Sequence, residues 1–234
     1  MNNESRIIVA LDYPDAQQAY QFVDRIEAGS CKLKVGKELF TAEGPRFVES
    51  LTSKGFDVFL DLKFHDIPNT VAKACAVAAD LGVWMMNVHA LGGRKMMEAA
   101  REALAQKQTP PLLIAVTILT SMASEDIHAI GLTGEPAENV SRLAALADIA
   151  GLDGVVCSPQ EVAMLRAQHS DRFQLVTPGI RPTDSAVGDQ KRIMTPAQAI
   201  KSGSSYLVIG RPITQADDPM QALAMISEEV KTSM

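Results

Sequence analysis

The sequence predicts a single (β/α)8 barrel that spans residues 1–234. Short runs rich in Val, Ile and Leu alternate with longer amphipathic stretches, and no long linker or change of composition divides the chain. Brief apolar runs of this kind are typical of parallel strands that are buried on both faces. A doubly wound open sheet is the alternative, but it would more often carry a glycine-rich turn after its first strand, where this chain has Asp12-Tyr13-Pro14-Asp15.

Eight strand–helix units follow one another along the chain, which is the number that closes a barrel of this type. Each run is short enough for a strand, and each stretch that follows it has a helical pattern. The predicted strands are 7–11, 32–35, 57–60, 83–88, 112–118, 154–157, 174–176 and 206–209. The predicted helices are 15–27, 44–54, 68–81, 93–107, 136–150, 159–168, 195–202 and 217–231.

Polar residues gather at the carboxyl ends of the predicted strands. In chain order they are Asp12, Lys34, Asp61 with Lys63, His89, Thr120-Ser121, Pro178-Gly179-Ile180-Arg181 and Gly210-Arg211. Barrel enzymes build their active sites at this end, from the loops that follow the strands. The convergence of these residues on one rim therefore predicts a functional site.

The segment DLKFHDIPNT holds two acids and a lysine within six positions. Residues two apart on a strand point to the same side, so Asp61 and Lys63 are expected to face one way. Pro68 suits a first helical turn, which Asp66 or Asn69 is expected to cap. A charged pair inside a crowded interior costs several kcal/mol unless it is compensated, which favours a use for it. A structural ion pair is the alternative.

Two glycine–arginine turns follow the last two predicted strands, at Pro178-Gly179-Ile180-Arg181 and Gly210-Arg211-Pro212. Barrels often bind phosphate in these two loops, where glycine admits backbone N–H groups and arginine matches phosphate geometry. The turns predict a phosphate site, and two ordinary turns with surface arginines are the alternative. The polar loop 183–194 between them is either a lid over bound ligand or a mobile connection.

A divalent cation is an alternative occupant of the strand-end charges, with His65 or His89 as further ligands. Those charges belong to Asp12, Lys34, Asp61, Lys63 and Asp66. The lysines already neutralise the carboxylates, so no metal site is predicted, and both histidines are expected to pack or to form hydrogen bonds. Nucleophilic hydrolysis lacks support, because the sequence has no GxSxG motif and no cysteine with a histidine near it.

The net charge of −6 and pI of about 5.3 come without a basic run, so neither nucleic acid nor an anionic membrane is an expected partner. No apolar run reaches the roughly 18 residues of a membrane span, and the N-terminus lacks the apolar core of a signal peptide. Cys31, Cys75 and Cys157 are far apart and form no CxxC motif. This cysteine usage fits a reducing compartment and predicts a cytoplasmic protein.

These motifs resemble, in the same order along the chain, those of the orotidine 5′-monophosphate decarboxylase family. The segment DLKFHDIPNT carries a DxKxxD pattern that sugar-phosphate relatives of the same barrel superfamily share. Thr120-Ser121, Gln190 and Arg211 narrow the resemblance to the pyrimidine enzyme. The other matches are Lys32-Leu33-Lys34-Val35-Gly36, Pro178-Gly179-Ile180-Arg181-Pro182, Gly188-Asp189-Gln190 and Ile209-Gly210-Arg211-Pro212-Ile213.

The resemblance implies a lyase without a cofactor that converts orotidine 5′-monophosphate to UMP and carbon dioxide, the last step of UMP biosynthesis. Lys63 would donate the proton, Asp61 would sit beside the substrate carboxylate, and Lys34 would orient the charged set. The resemblance also implies a homodimer with shared active sites, in which Asp66 and Thr70 reach into the pocket of the neighbouring subunit.

The resemblance further assigns residues to parts of the substrate. The implied contacts with the ribose come from Asp12 and Lys34, together with Asp66 and Thr70 of the neighbouring subunit. Ser121, beside Thr120, would contact the pyrimidine edge, Gln190 the base and the phosphate, and Arg181, Gly210 and Arg211 the phosphate. Two other functions stay open. One is a metal-assisted sugar-phosphate decarboxylase or aldolase on the same barrel, and the other is a nucleotide-binding barrel without catalysis.

Overall fold

Eight parallel strands close into a barrel in the computed structural model, which describes residues 5–182 and 194–233. The strands pair in chain order, and the eighth pairs with the first. They are β1 (Ile7–Ala10), β2 (Lys32–Gly36), β3 (Val58–Phe64), β4 (Met85–His89), β5 (Leu112–Val116), β6 (Gly154–Val156), β7 (Gln174–Thr177) and β8 (Tyr206–Ile209). The predicted barrel is confirmed, since an open sheet would leave its edge strands unpaired.

Each of the eight predicted helices is present near its predicted bounds. The helices of the described residues are α1 (Ala16–Val23), α2 (Lys37–Glu43), α3 (Pro45–Ser53), α4 (Pro68–Ala79), α5 (Arg94–Ala105), α6 (Ser124–Ala129), α7 (Pro136–Ile149), α8 (Val162–Gln168), α9 (Pro196–Lys201), α10 (Arg211–Thr214) and α11 (Pro219–Lys231). Five of them begin with proline, whose fixed φ suits a first turn. The unpredicted helices α2, α6 and α10 are too short to show a clear period.

Within the described ranges, the chain has no helix that combines the length and the apolar character needed to cross a bilayer.

The apolar core has two layers that follow from the alternation of side chains along the strands. Ile7 and Val9 of β1 pack in the larger layer, between the strands and the surrounding helices. Ile8 and Ala10 of the same strand belong to a second cluster inside the barrel. Phe59, Met85, Ile114, Val176 and Val208 complete this inner cluster. The interior is therefore a packed core, and the barrel is a rigid frame for the residues at its carboxyl end.

The three cysteines are free and buried. Burial raises the pKa of the Cys31 and Cys75 thiols to about 12 and also raises the pKa of Cys157. Because the thiolate is the reactive form, all three side chains act as inert packing groups.

A buried lysine lies at the amino end of the barrel, opposite the predicted site. Lys32 is 2% exposed, and its Nζ lies 2.7 Å from Oδ2 of Asp57. The same ammonium group lies 4.2 Å from the ring centroid of Trp84, which meets the ring of Tyr206 edge-on at 4.9 Å. The carboxylate and the aromatic faces replace the water that the ammonium group loses on burial. Trp84, which precedes β4, is thus a packing residue.

We expect Lys32→Met to lower the free energy of unfolding by about 1–2 kcal/mol, because it removes a charge-assisted hydrogen bond and a cation–π contact. Lys54 provides a matched control, since its Nζ lies 3.0 Å from Oδ1 of Asp24 and 5.8 Å from the ring of Tyr20, but both charged groups are exposed. Lys54→Met should change stability by less than about 0.5 kcal/mol. Urea unfolding gives the free energy of unfolding of both variants. Equal losses in Lys32→Met and Lys54→Met would contradict the role of burial.

Candidate active site

Four charged residues form a row at the carboxyl ends of β1, β2 and β3. The Nζ of Lys63 lies 2.5 Å from Oδ1 of Asp61, and the Nζ of Lys34 lies 3.5 Å from Oδ2 of the same carboxylate. Lys34 also contacts Oδ1 of Asp12 at 3.2 Å. The structure thus brings together four of the residues that the sequence predicted for the site. Cations and anions alternate along the row.

The inner part of the row is shielded from solvent. The exposed fractions of the side chains are 11% for Lys34, 15% for Asp61 and 27% for Lys63, whereas Asp12 is 61% exposed. The row borders a cavity of 170 Å³ that the first turn of α2 also lines. Charges in such a partly buried place interact more strongly than they would in water.

Gly36, at the end of β2, leaves the space that the ammonium group of Lys34 occupies. A Cβ atom on Gly36 would lie 3.1 Å from Nζ of Lys34, which is tighter than ordinary van der Waals contact. The close approach gives a physical reason for glycine in the segment that follows Lys34.

The backbone at Lys63 departs from the regular strand that the sequence suggested. The register between β3 and β4 shifts between Leu60 and Phe64. Lys63 has a φ of 55°, and it is the one residue other than glycine with a positive φ in the described parts of the chain. Such a conformation costs about 1–3 kcal/mol and is common at functional sites. The side chains of Asp61 and Lys63 meet across this irregularity, so simple alternation along a strand does not explain their contact.

Sequence reasoning missed Asn87, a fully buried residue of β4. Its Nδ2 donates a hydrogen bond to Oδ1 of Asp61 at 2.7 Å, and its Oδ1 accepts one from the backbone N–H of Lys63 at 2.7 Å. A signal was present in the sequence, because Asn87 is the one polar side chain in the predicted strand 83–88 apart from the indole N–H of Trp84. Buried polar groups of this kind are normally hydrogen-bonded and have a specific use.

Two histidines stack beside the row. The rings of His65 and His89 are 5.4 Å apart at an angle of 22°. Burial lowers the pKa of His89 to about 4, and the charges of His65, Lys63 and Lys37 contribute to the same direction. His89 is therefore neutral near pH 7 and acts as a packing group.

The segment after β3 lies on the surface. Asp66 is exposed and its Oδ1 accepts a hydrogen bond from the N–H of Ile67 at 2.6 Å. The predicted capping of α4 by Asp66 or Asn69 is wrong, because Ile67 is the N-cap residue and no side chain caps this helix. Pro68 does occupy its first turn. Thr70 is also exposed.

Exposed apolar side chains adjoin Asp66. Ile67 is 66% exposed and Leu91 is 37% exposed. Together with His65, Asp66 and Pro68 they border a shallow depression on this surface. Large apolar groups and a carboxylate thus lie together on one exposed surface.

The two glycine–arginine turns follow β7 and β8, and β8 is the neighbour of β1 in the closed barrel. Gly179 has a φ of 79°, which glycine adopts without strain. Arg181 is 7% exposed, whereas Arg211 is exposed. Burial lowers the pKa of the Arg181 guanidinium, and the charge of Arg211 lowers it further, so the two cations are within electrostatic reach. An oxyanion between them would offset both charges.

Gly210, which precedes Arg211, lies next to the Asp12 end of the charged row. A Cβ atom on Gly210 would lie 3.4 Å from Oδ2 of Asp12. Thr120 is half-buried and Ser121 is exposed in the turn that follows β5. Gln190 and the predicted loop 183–194, apart from Met194, lie outside the described residues.

In residues 5–182 and 194–233, no three His, Cys, Asp or Glu side chains are grouped so that they could hold a metal ion.

Comparison with known proteins places this geometry in a family context. The model of the orotidine 5′-phosphate decarboxylase / HUMPS family matches residues 5–226. The chain is 59% identical to orotidine 5′-phosphate decarboxylase of Saccharophagus degradans, over 97% of this chain and 95% of that protein. It is 58% identical to the protein of the same name from Salmonella typhimurium, over 97% of this chain and 94% of that protein.

Solved structures give the same result. The crystal structure of orotidine 5′-phosphate decarboxylase from Lactobacillus acidophilus superposes with a TM-score of 0.86 at 39% identity, and it covers 97% of this chain and 99% of that chain. The structure from Pyrococcus horikoshii, at 22% identity and a TM-score of 0.77, supports the fold alone.

Proposed function

The chain belongs to the orotidine 5′-phosphate decarboxylase / HUMPS family, and from this we infer that it decarboxylates orotidine 5′-monophosphate to UMP and carbon dioxide. The observation that carries the inference is an identity near 60% over nearly the whole chain to proteins of that name. The row of Lys63, Asp61 and Lys34 at the mouth of the barrel supplies charges that suit this reaction.

The reaction demands electrostatic stabilisation. Loss of carbon dioxide from C6 of the pyrimidine leaves an electron pair in an sp² orbital in the ring plane, where the π system does not delocalise it. In our proposal the ammonium group of Lys63 stabilises this pair and then transfers a proton to C6. Two unit charges about 4 Å apart contribute about 4 kcal/mol at an effective dielectric of about 20. Enzymes lower barriers by about 8–23 kcal/mol, so further contributions are needed.

Asp61 contributes by position. Its carboxylate lies between the ammonium groups of Lys63 and Lys34, and we place the departing carboxylate of the substrate beside it. The fixed negative charge of Asp61 then raises the free energy of the bound substrate carboxylate, and the repulsion ends when neutral carbon dioxide leaves. Lys34 orients Asp61 and, with Asp12, contacts the ribose in this assignment.

The basic end supplies binding energy far from the reacting carbon. We assign the phosphate to Arg181, Gly210 and Arg211, and assign Gln190 to both base and phosphate. Thr120 and Ser121 are assigned to the pyrimidine. Interactions with a remote phosphate help the chemical step when they fix the pyrimidine against Lys63. The position of Arg181 and Arg211 after the paired strands β7 and β8 supports this assignment.

We further propose a homodimer in which each subunit completes the site of the other. Asp66 and Thr70 are exposed and do not line the cavity beside the row of their own subunit, and exposed Ile67 and Leu91 border the same depression as Asp66. A two-fold dimer that covers this surface would bury the apolar groups and bring Asp66 to the neighbouring site. Three free, buried cysteines favour a cytoplasmic location, where disulfides are rare.

An absorbance assay tests the function directly. Wild-type protein incubated with orotidine 5′-monophosphate and EDTA should convert it to UMP. A metal-assisted sugar-phosphate enzyme would lose its activity with EDTA and would not act on the pyrimidine. A nucleotide-binding barrel without catalysis would bind UMP and leave the absorbance unchanged, and either of these results would overturn the inference.

Lys63→Ala should lower kcat at least about 1,000-fold, because it removes both the stabilising charge and the proton donor. The affinity for UMP should stay within about threefold, because the ribose and phosphate contacts remain. Lys54→Ala, at an exposed lysine, is the control and should keep wild-type kcat. Turnover of Lys63→Ala within tenfold of wild type would contradict its role.

Mixing two inactive variants tests the shared site. Lys63→Ala and Asp66→Ala homodimers should each be inactive, but a heterodimer holds one site with both residues intact. After complete subunit exchange at equal concentrations, about a quarter of all sites should be intact. Exchange is followed independently with fluorescent labels, and exchange without recovery of activity would rule out the shared site.

Arg211→Ala should lower kcat/KM about 10- to 100-fold, the effect of losing charged hydrogen bonds to phosphate. Orotidine without its phosphate should be a poor substrate, and added phosphite should activate its turnover much more in wild type than in Arg211→Ala. Arg172→Ala, at an exposed arginine before β7, is the control and should respond as wild type does. Equal phosphite activation in wild type and Arg211→Ala would exclude Arg211 from the phosphate site.

A further inference from the structure

Asn87 stands where the β3–β4 ladder is interrupted. Leu60 pairs with Met86, and the next pair is Phe64 with Val88. Three residues of β3 therefore face a single residue of β4, and that single residue is Asn87. At this place the side-chain oxygen of Asn87 accepts the hydrogen bond of the Lys63 backbone N–H.

The chemistry of the two partners fixes the kind of side chain that can bridge them. The backbone N–H of Lys63 can only donate, and the carboxylate of Asp61 accepts. A bridging group must therefore accept on one side and donate on the other, as the amide of Asn87 does with two hydrogen bonds of 2.7 Å. An ionised carboxyl group lacks the donor, and an aliphatic side chain lacks both functions.

The bridge acts on the atoms that matter for the reaction. Oδ1 of Asp61 accepts hydrogen bonds from Nδ2 of Asn87 and from Nζ of Lys63, while Oδ2 faces Nζ of Lys34. The amide thus sets the rotation of this carboxylate, which in turn sets the position of the Lys63 ammonium group. On its other side it stabilises the positive φ of Lys63 by pairing a backbone N–H that the ladder leaves out.

We propose that Asn87 is a positioning residue for decarboxylation, which holds Asp61 and Lys63 in their reactive arrangement without touching the substrate. This inference rests on the proposed function. It goes beyond it by extending the catalytic apparatus to a fully buried residue of a neighbouring strand.

Asn87→Asp is the most informative variant, because it keeps the shape and the acceptor for the N–H of Lys63. When ionised, the introduced carboxyl group cannot donate to Asp61 and repels it. We expect kcat at pH 8 to fall about 100-fold, with UMP affinity within about threefold of wild type. Two adjacent carboxylates raise the pKa of one of them, and the protonated form regains a donor.

The pH profile distinguishes positioning from a merely structural role. Activity of Asn87→Asp should be present below the raised pKa of the carboxyl pair and should be lost as the pH rises through it. The ratio of variant to wild-type kcat should therefore rise at least about tenfold between pH 8 and pH 5. Asn87→Leu, which has neither donor nor acceptor, should be slow at both pH values.

Asn139→Asp is the matched control. Asn139 is 1% exposed, and its Nδ2 donates to the carbonyl groups of Thr133 and Glu135 at the start of α7. Its Oδ1 accepts a hydrogen bond from the guanidinium of Arg142. This variant loses the two Nδ2 donor contacts but keeps an acceptor for Arg142, and it should keep wild-type kcat at each pH. Urea unfolding of this variant measures what a buried Asn→Asp change does to the fold at a place other than the candidate site.

The outcomes separate the two proposals. Wild-type turnover with near-normal kcat in Asn87→Asp at pH 8 would overturn the role of Asn87 and leave the proposed function intact. A fall in kcat without recovery at pH 5, or with a parallel loss of UMP affinity, would also overturn it in favour of a structural role. Absence of turnover in the wild type would overturn both proposals.

Discussion

The candidate active site depends on one constraint, which is that the carboxylate of Asp61 has to be held between two ammonium groups in a partly buried place. Charges removed from water are costly unless each finds partners of the right geometry. Asp61 finds Lys63 and Asn87 at one oxygen and Lys34 at the other. Strands β2, β3 and β4 each supply a member of this arrangement, so the closed and packed barrel is what keeps the distances fixed.

The fold was predictable because the eight strand–helix units repeat a simple alternation of apolar runs and amphipathic stretches. Lys34, Asp61 and Lys63 were also predictable, since polar groups at strand ends are conspicuous in the sequence. The shift of register at β3 and the positive φ of Lys63 were not, because both arise from the pairing of β3 with β4. Asn87 was missed for the same reason, as its importance lies in what it faces across the sheet.

Strand β2 shows that a lysine in a barrel strand has no fixed meaning. Lys32 and Lys34 are two residues apart and both are nearly buried. Lys32 meets Trp84 and Asp57 at the amino end, where it packs the base of the barrel. Lys34 meets two carboxylates at the carboxyl end, beside the cavity. Two lysines of one strand thus have different surroundings, since Lys32 is packed among core groups at one end and Lys34 belongs to the proposed site at the other.

The conformation of Lys63 sets folding and activity against each other at a single position. Glycine adopts a φ near 55° without strain, whereas a lysine in that conformation costs about 1–3 kcal/mol. Selection for a more stable chain would therefore tend to replace the side chain to which we assign the proton transfer. Screens that reward thermal tolerance or expression should be expected to enrich inactive proteins altered at residue 63, and such a protein would be a better-folded relative that has lost its reaction.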